Sequence, residues 1–268
     1  KSVKMNINKT TQKLPAYLDF IYGHIYNDMK QCEKEDKIIA CNLRTFFQYR
    51  LLINSLNKEL KMNQDVMQFG ISFGNQIEET ALTIGSFSQY DILDICNNEI
   101  DRAKEKYSKI YTSITFHNQD VRSVTATHTY DAVVCFMLLS QVPSASKRKI
   151  INNALKLVKK GGKVIFIDWH TPLFYHPLRY IVRMYNRLNH PFVERLWDRD
   201  ISSYAETDLR SQFSWRKTTY FGRMFQKCVA TRKDDPLNVI KQSTSGGDDF
   251  FADQYSEVVD DNSLLDGF

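Results

Sequence analysis

The stretch "FGISFGNQIEET", Phe69 to Thr80, reads as the end of a strand, a glycine turn and the start of a helix. Gly70 and Gly74 let the backbone turn tightly and pass close to a ligand, and the helix that follows offers unpaired N–H groups to a carboxylate or phosphate. A strand-to-helix turn also takes glycine for steric reasons alone, so the turn by itself does not choose. Ser72 and Phe73 stand where a cofactor loop usually has its smallest residues. A side chain at position 73 must therefore point away from a ligand or rebuild its wall, with decay of the site as the competing explanation.

Working outward, short apolar runs alternate with helical stretches: "DVMQFG", a helix from about Gln76, "YDILDI", "NNEIDRAKEKY", "ITFHN", "YDAVVCFMLL", "ASKRKIINNALKLVKK" and "GGKVIFID". This rhythm predicts an α/β fold with a doubly wound, mostly parallel sheet. Upstream, Leu14, Tyr17, Leu18, Ile21 and Ile25, then Leu43, Phe46, Phe47, Leu51 and Leu52, recur at helical spacing. They predict an N-terminal helical extension over 1–62 ahead of a main domain over 63–232. Within that domain a helical, aromatic and basic insert, 169–210, precedes "WRKTTYFG" and "RMFQKCVATR", which read as a closing hairpin turning at Gly222. Residues 233–268 read as an acidic, disordered tail.

The 268 residues are 43% hydrophobic and 13% aromatic, a globular composition. Net charge is +5, yet from Arg232 onward three basic residues face nine acidic ones, so the body is strongly basic. That favours nucleic acid, anionic lipid or an anionic substrate without choosing among them. The longest apolar run, "AVVCFMLL" from Ala132 to Leu139, falls far short of the roughly 18 residues a spanning helix needs. Five scattered cysteines with no CxxC pair point to a reducing interior, with neither a disulfide framework nor a zinc site. The opening "KSVKMNINKTTQK", with four lysines and no acid, is compatible with a transit-peptide stub or a truncation.

In such a sheet the ligand sits beyond the carboxyl ends of the strands, where their order reverses. Asp94 ends the second strand, where it could accept hydrogen bonds from both ribose hydroxyls. Asp120, after the third strand, is placed to meet an exocyclic amine. A helix N-cap or a solvated loop is the ordinary role of either acid alone. Glycine turn and two strand-end acids together resemble the S-adenosylmethionine site of class I methyltransferases, a Rossmann-like fold.

The fifth strand ends "FIDWHTPLFYHPLRY". Asp168, His170 and His176 are expected at the carboxyl edge of the sheet, where one carboxylate and two imidazoles suit manganese or iron, or acid–base chemistry. A His before Pro also simply caps a helix. The helix near Pro177 carries Leu178, Ile181, Met184, Tyr185 and Leu188 on one side and Arg179, Arg183 and Arg187 on another. It is either a core helix with a solvated basic face or a surface for anionic lipid.

"IDWHTPLFYHPLRYIVRMYNRLNHPFVERLW", "KTTYFGRMFQKCVATR" and the "LPAYLDFIYGHIY" preface resemble the rhodoquinone-biosynthesis proteins of the RquA type, from about Leu14 to Arg232. The resemblance implies a peripheral membrane enzyme that exchanges a ring methoxy group of ubiquinone for an amino group. It implies S-adenosylmethionine as amino donor and manganese as helper. Gly70, Ser72, Gly74, Asp94 and Asp120 would hold the cofactor. Asp168 and His170 become metal candidates, these two with His176 acid–base candidates, and Tyr220 a quinone contact. In a eukaryotic cell the compartment would be the matrix side of the inner mitochondrial membrane, in a bacterium the cytoplasmic membrane. A conventional methyltransferase of a quinone or other lipophilic ring is the alternative, and a catalytically dead binding fold a third. A nucleic-acid methyltransferase is disfavoured, because the fourth strand ends "FMLLSQVP" without the Asn/Asp-Pro-Pro-aromatic signature of base-modifying enzymes.

Overall fold

The computed structural model describes residues 14–107, 113–125, 127 and 129–233. The expected acidic tail lies outside these residues except for Lys233, as does the lysine-rich leader through residue 13.

Seven strands form one sheet: β1 (Val66–Phe69), β2 (Tyr90–Asp94), β3 (Ile114–Asn118), β4 (Tyr130–Phe136), β5 (Val158–Trp169), β6 (Phe213–Tyr220) and β7 (Phe225–Arg232). Their order is β3-β2-β1-β4-β5-β7-β6. All run parallel except β7, which lies antiparallel between β5 and β6 as the expected hairpin. β1 is buried on both faces, as a central parallel strand must be: Val66 joins one core, Met67 and Phe69 the other. Because β1 pairs with β2 on one side and β4 on the other, connections leave it in opposite directions and open a crevice over its carboxyl end.

Four helices precede β1: α1 (Ala16–Tyr26), α2 (Met29–Glu35), α3 (Ile38–Arg44) and α4 (Tyr49–Asn57). The extension is more broken than the hydrophobic spacing predicted. Asp28 caps α2 by accepting the Lys30 N–H at 2.9 Å, and Phe46 and Phe47 adopt φ of 50° and 62°, which stops α3 and turns the chain into α4. On α4, Tyr49, Leu52, Ile53 and Leu56 recur at helical spacing and enter the core between the sheet and α5 (Gln76–Ile84).

The other face is covered by α7 (Ser144–Leu157), which buries Ile150, Ile151, Ala154 and Leu155, while α6 (Asn97–Tyr107) links β2 to β3. The insert holds one longer helix, α8 (Arg179–Asn189), then the short α9 (Glu194–Trp197), a 3-10 turn Ile201–Tyr204 and α10 (Thr207–Ser211).

Candidate active site

Two adjoining cavities occupy the crevice. The first is walled by Gly70 and Ile71 of the glycine turn, Asp94 to Cys96, Asp120 to Arg122, Met137 and Leu138, with Tyr17 and Leu18 of α1 beside them. The Asp94 carboxylate accepts the Ile71 N–H and the Cys96 N–H, each at 2.8 Å. Burial nevertheless pushes its pKa up to about 6. Asp120 caps the 3-10 turn Val121–Ser123, accepts the Arg122 N–H at 2.8 Å and pairs with the Arg122 guanidinium. Gly70, Asp94 and Asp120 thus share one cavity. Gly70 needs its freedom there: φ is +82°, and a Cβ would stand 3.3 Å from Leu138.

The rest of the turn faces elsewhere. The Ser72 hydroxyl donates to the Gln76 side chain, within a buried cluster that includes Gln68 and Thr80. The guanidinium groups of Arg44 and Arg102 lie over the Phe73 ring at 5.0 and 5.2 Å, cation–π contacts, and Phe73 lines the second cavity and not the one that holds Asp94. Gly74 does not line the first cavity. Its N–H donates to Asp36 at 2.8 Å, its carbonyl accepts from Lys106 at 2.7 Å and Tyr107 at 2.9 Å, and a Cβ would stand 2.8 Å from the Tyr49 ring. The Tyr49 hydroxyl donates to the Phe73 carbonyl at 2.6 Å and accepts the Gln76 N–H at 3.1 Å. The amide that opens α5 is therefore spent on a phenol of the extension.

The second cavity shares Tyr26, Ile71, Phe136, Met137 and Gln141 with the first. Its own lining is aromatic: Tyr22 from α1, Tyr49, Phe73 and Trp169, with Arg44, Ser72 and His190. The shared wall is fixed by a relay in which Tyr26 donates to Gln141 at 2.7 Å and Gln141 to the Met137 carbonyl at 2.9 Å. Met137 holds φ of 54°, a left-handed conformation that costs a non-glycine residue roughly 1–2 kcal/mol. Such strain clusters at working sites.

His190 follows α8, its Nδ1 3.4 Å from the Tyr22 hydroxyl. Burial, seconded by the charge of Arg44, pushes its pKa down to about 4, so the imidazole is neutral at ordinary pH. The Trp169 indole N–H, also on this wall, is buried and has no hydrogen-bond partner among the described residues.

The remaining sequence candidates lie apart from both cavities. β5 alternates, sending Ile167 and Trp169 to the core beneath the second cavity and Phe166 to the opposite core, the side to which Asp168 belongs. The Asp168 carboxylate accepts the Ser140 N–H at 3.0 Å and the Trp169 N–H at 2.8 Å, and its burial pushes the pKa up. It anchors the turn after β4.

His170 sits by the hairpin. Its backbone N–H donates to the Met224 carbonyl at 2.7 Å, its ring Nδ1 lies 3.1 Å from the Thr171 carbonyl, and burial, with Lys217 and Arg223 nearby, pushes its pKa down. His176 packs edge-on against Phe221 at 5.2 Å, and its ring covers Gly222, where φ is +56° and a Cβ would stand 2.8 Å from Nε2. Tyr220 ends β6 half-buried at this turn. Loop and hairpin are thus packing partners.

No three His, Cys, Asp or Glu side chains converge as a metal site among the described residues. With Asp168 committed to two amides, His170 Nδ1 beside the Thr171 carbonyl and the His176 ring packed over Gly222, this donor set does not fit a divalent ion. Sequence reasoning passed over Tyr22, Arg44, Tyr49, Gln141 and His190. The extension showed only a helical spacing, and nothing local separates His190 of "NHPF" from His176 of "YHPL".

Residues 66–162 match the family model of a methyltransferase domain. No protein of curated function matches the sequence. Among solved structures, the N-methyltransferase NodS from Bradyrhizobium japonicum in complex with S-adenosyl-L-homocysteine superposes with a TM-score of 0.55 at 13% identity, over 82% of this chain and 100% of that one. Human N-acetylserotonin methyltransferase in complex with SAM gives 0.53 at 15% identity, over 82% of this chain and 61% of that one. The pyocyanin biosynthetic protein PhzM gives 0.54 at 14% identity, over 80% and 63%. At such identities the likeness is one of fold: a class I methyltransferase-like sheet.

Proposed function

We propose that the protein is an S-adenosylmethionine-dependent transferase acting on a lipophilic quinone, and that its reaction exchanges a methoxy group of ubiquinone for an amino group. The observation that carries the first part is the two-chambered crevice, acidic on one side and aromatic on the other. Asp94 and Asp120 match the hydroxyl and amine donors of a nucleoside, so the first cavity fits the cofactor by its donor set. When bound, S-adenosylmethionine would supply an activated methyl group or, in the amino-transfer reading, its nitrogen.

Asp94 would orient the ribose, with Ile71 and Cys96 fixing the carboxylate. Tyr22, Tyr49 and Trp169 exclude water and offer ring faces to a planar acceptor. Neutral His190 would take the proton that an amine nitrogen loses as it joins the ring and methoxy leaves as methanol, or the proton of an acceptor hydroxyl in a methylation.

The amino-transfer step rests on the rhodoquinone-type sequence resemblance. That resemblance also implies manganese, but Asp168 and His170 do not form a site for it, and no step is derived through it. The methyltransferase-domain match favours the second reading, conventional methylation of a quinone or other lipophilic aromatic ring. Incubation with a short-tailed ubiquinone, or with its hydroxyquinone lacking one O-methyl group, and nitrogen-labelled S-adenosylmethionine separates them. Label in the quinone with loss of methoxy is expected; S-adenosylhomocysteine with a methylated product leaves only the second reading standing.

A further inference from the structure

Two segments that line the second cavity, α8 with His190 after it and α3 with the turn after it, also expose apolar side chains. α8 turns Val182 and Asn186 inward and leaves Tyr180, Ile181, Met184 and Leu188 outside, Met184 62% and Leu188 74% exposed. At 100° per residue these four fill one sector, and Arg179, Arg183 and Arg187 fill the adjoining one. Neither Arg183 nor Arg187 is committed to the core. The Arg183 guanidinium lies over Trp197 at 5.8 Å, and Arg187 pairs at 3.2 Å with Glu194, both in water. Phe46, just past α3, touches Tyr185 of α8 with ring centroids 6.0 Å apart. On its side of that contact α3 and the turn after it expose Ile39, Leu43 and Phe47.

Contiguous apolar side chains in water mark an interaction surface. A protein groove would account for the apolar sector but not for three arginines set at four-residue steps along its edge. An anionic phospholipid surface accounts for both, arginines meeting headgroups while apolar side chains enter the acyl boundary.

We propose that α8, together with the turn after α3, docks the protein on an anionic bilayer. The docking stands on these faces alone. One consequence rests on the function proposed above: Arg44, Thr45 and His190 of these same segments line the second cavity, so a lipophilic acceptor would reach it from the membrane side.

The test is flotation of the full chain with phosphatidylcholine vesicles, with and without phosphatidylglycerol. Wild type is expected to float with the anionic vesicles and to be released by salt. The triple variant Arg179→Glu, Arg183→Glu, Arg187→Glu is expected to lose about a hundredfold in partitioning, each arginine contributing roughly a factor of five. A second variant, Ile181→Ser with Leu188→Ser, is expected to lose binding while keeping its thermal melt. Unchanged partitioning of either variant, or no flotation of wild type, overturns the proposal. So does a dimer in sedimentation that the serine variant dissolves while vesicle binding persists. Failure to bind S-adenosylhomocysteine by a protein that still floats would overturn the reading of the site instead.

Discussion

Replacing Gly74 by alanine asks whether that glycine serves a ligand or the N-terminal extension. At φ of +85° an alanine costs roughly 1–2 kcal/mol in any surroundings. The added Cβ would also stand 2.8 Å from the Tyr49 ring and 3.0 Å from the Cys41 sulfur, so the phenol must move. Moving it breaks the bonds to the Phe73 carbonyl and the Gln76 N–H, worth about 1 kcal/mol each, in a buried setting where unpaired groups are penalised further.

The expected loss is therefore about 3–5 kcal/mol, read as a shift of the urea midpoint by circular dichroism. In a Tyr49→Ala background the dihedral cost and the tight Cys41 contact remain while the phenol's bonds are already gone, so the double-mutant cycle should show a coupling of about 2–3 kcal/mol. Equal losses in both backgrounds would refute the reasoning. A Gly74→Ala protein of wild-type stability that had lost cofactor binding would place the glycine back in the ligand's wall.

Other expectations follow from the same geometry. Hydroxyl donors of a cofactor favour the ionised form of Asp94, whose folded pKa is about 6, so the calorimetric Kd should be flat above pH 7 and weaken roughly tenfold per unit below 6. The sign for stability is opposite. A raised carboxyl pKa means the folded chain holds the proton more tightly than the unfolded one, so this group's contribution falls as pH rises from about 4 to 6, and Asp94→Asn should remove both dependences. His190→Ala should lower turnover about 10²- to 10⁴-fold if the imidazole takes the proton released in the transfer, with quinone binding changed only a few-fold; turnover within threefold of wild type would exclude that role. Asp168→Ala leaves two buried amides unpaired and should cost about 2–4 kcal/mol in urea while cofactor affinity stays within a few-fold.

The sheet was legible because its signal is local: each parallel strand is a short apolar run and each crossover a helical one. Asp94 and Asp120 were legible for the same reason, since the end of a strand is also the rim of the crevice. The pleat was not. Asp168 and Trp169 are neighbours in sequence, yet alternation gives the cavity to the tryptophan and the far face to the acid. Nor could local pattern show that Phe73 would meet Arg44 and Arg102, each 29 residues away. His190 and His176 both precede proline, and only the packing of α8 against the extension sets one in a cavity and the other over a hairpin.

Tyr49, Asp36, Lys106 and Tyr107 grip the glycine turn from behind, and none of the four needs a ligand to do so. A loop already seated by its own chain has little disorder left to surrender when the cofactor arrives. Cofactor capture should then be a single encounter step, and differences in affinity among loop variants should appear in how long the complex lasts more than in how fast it forms.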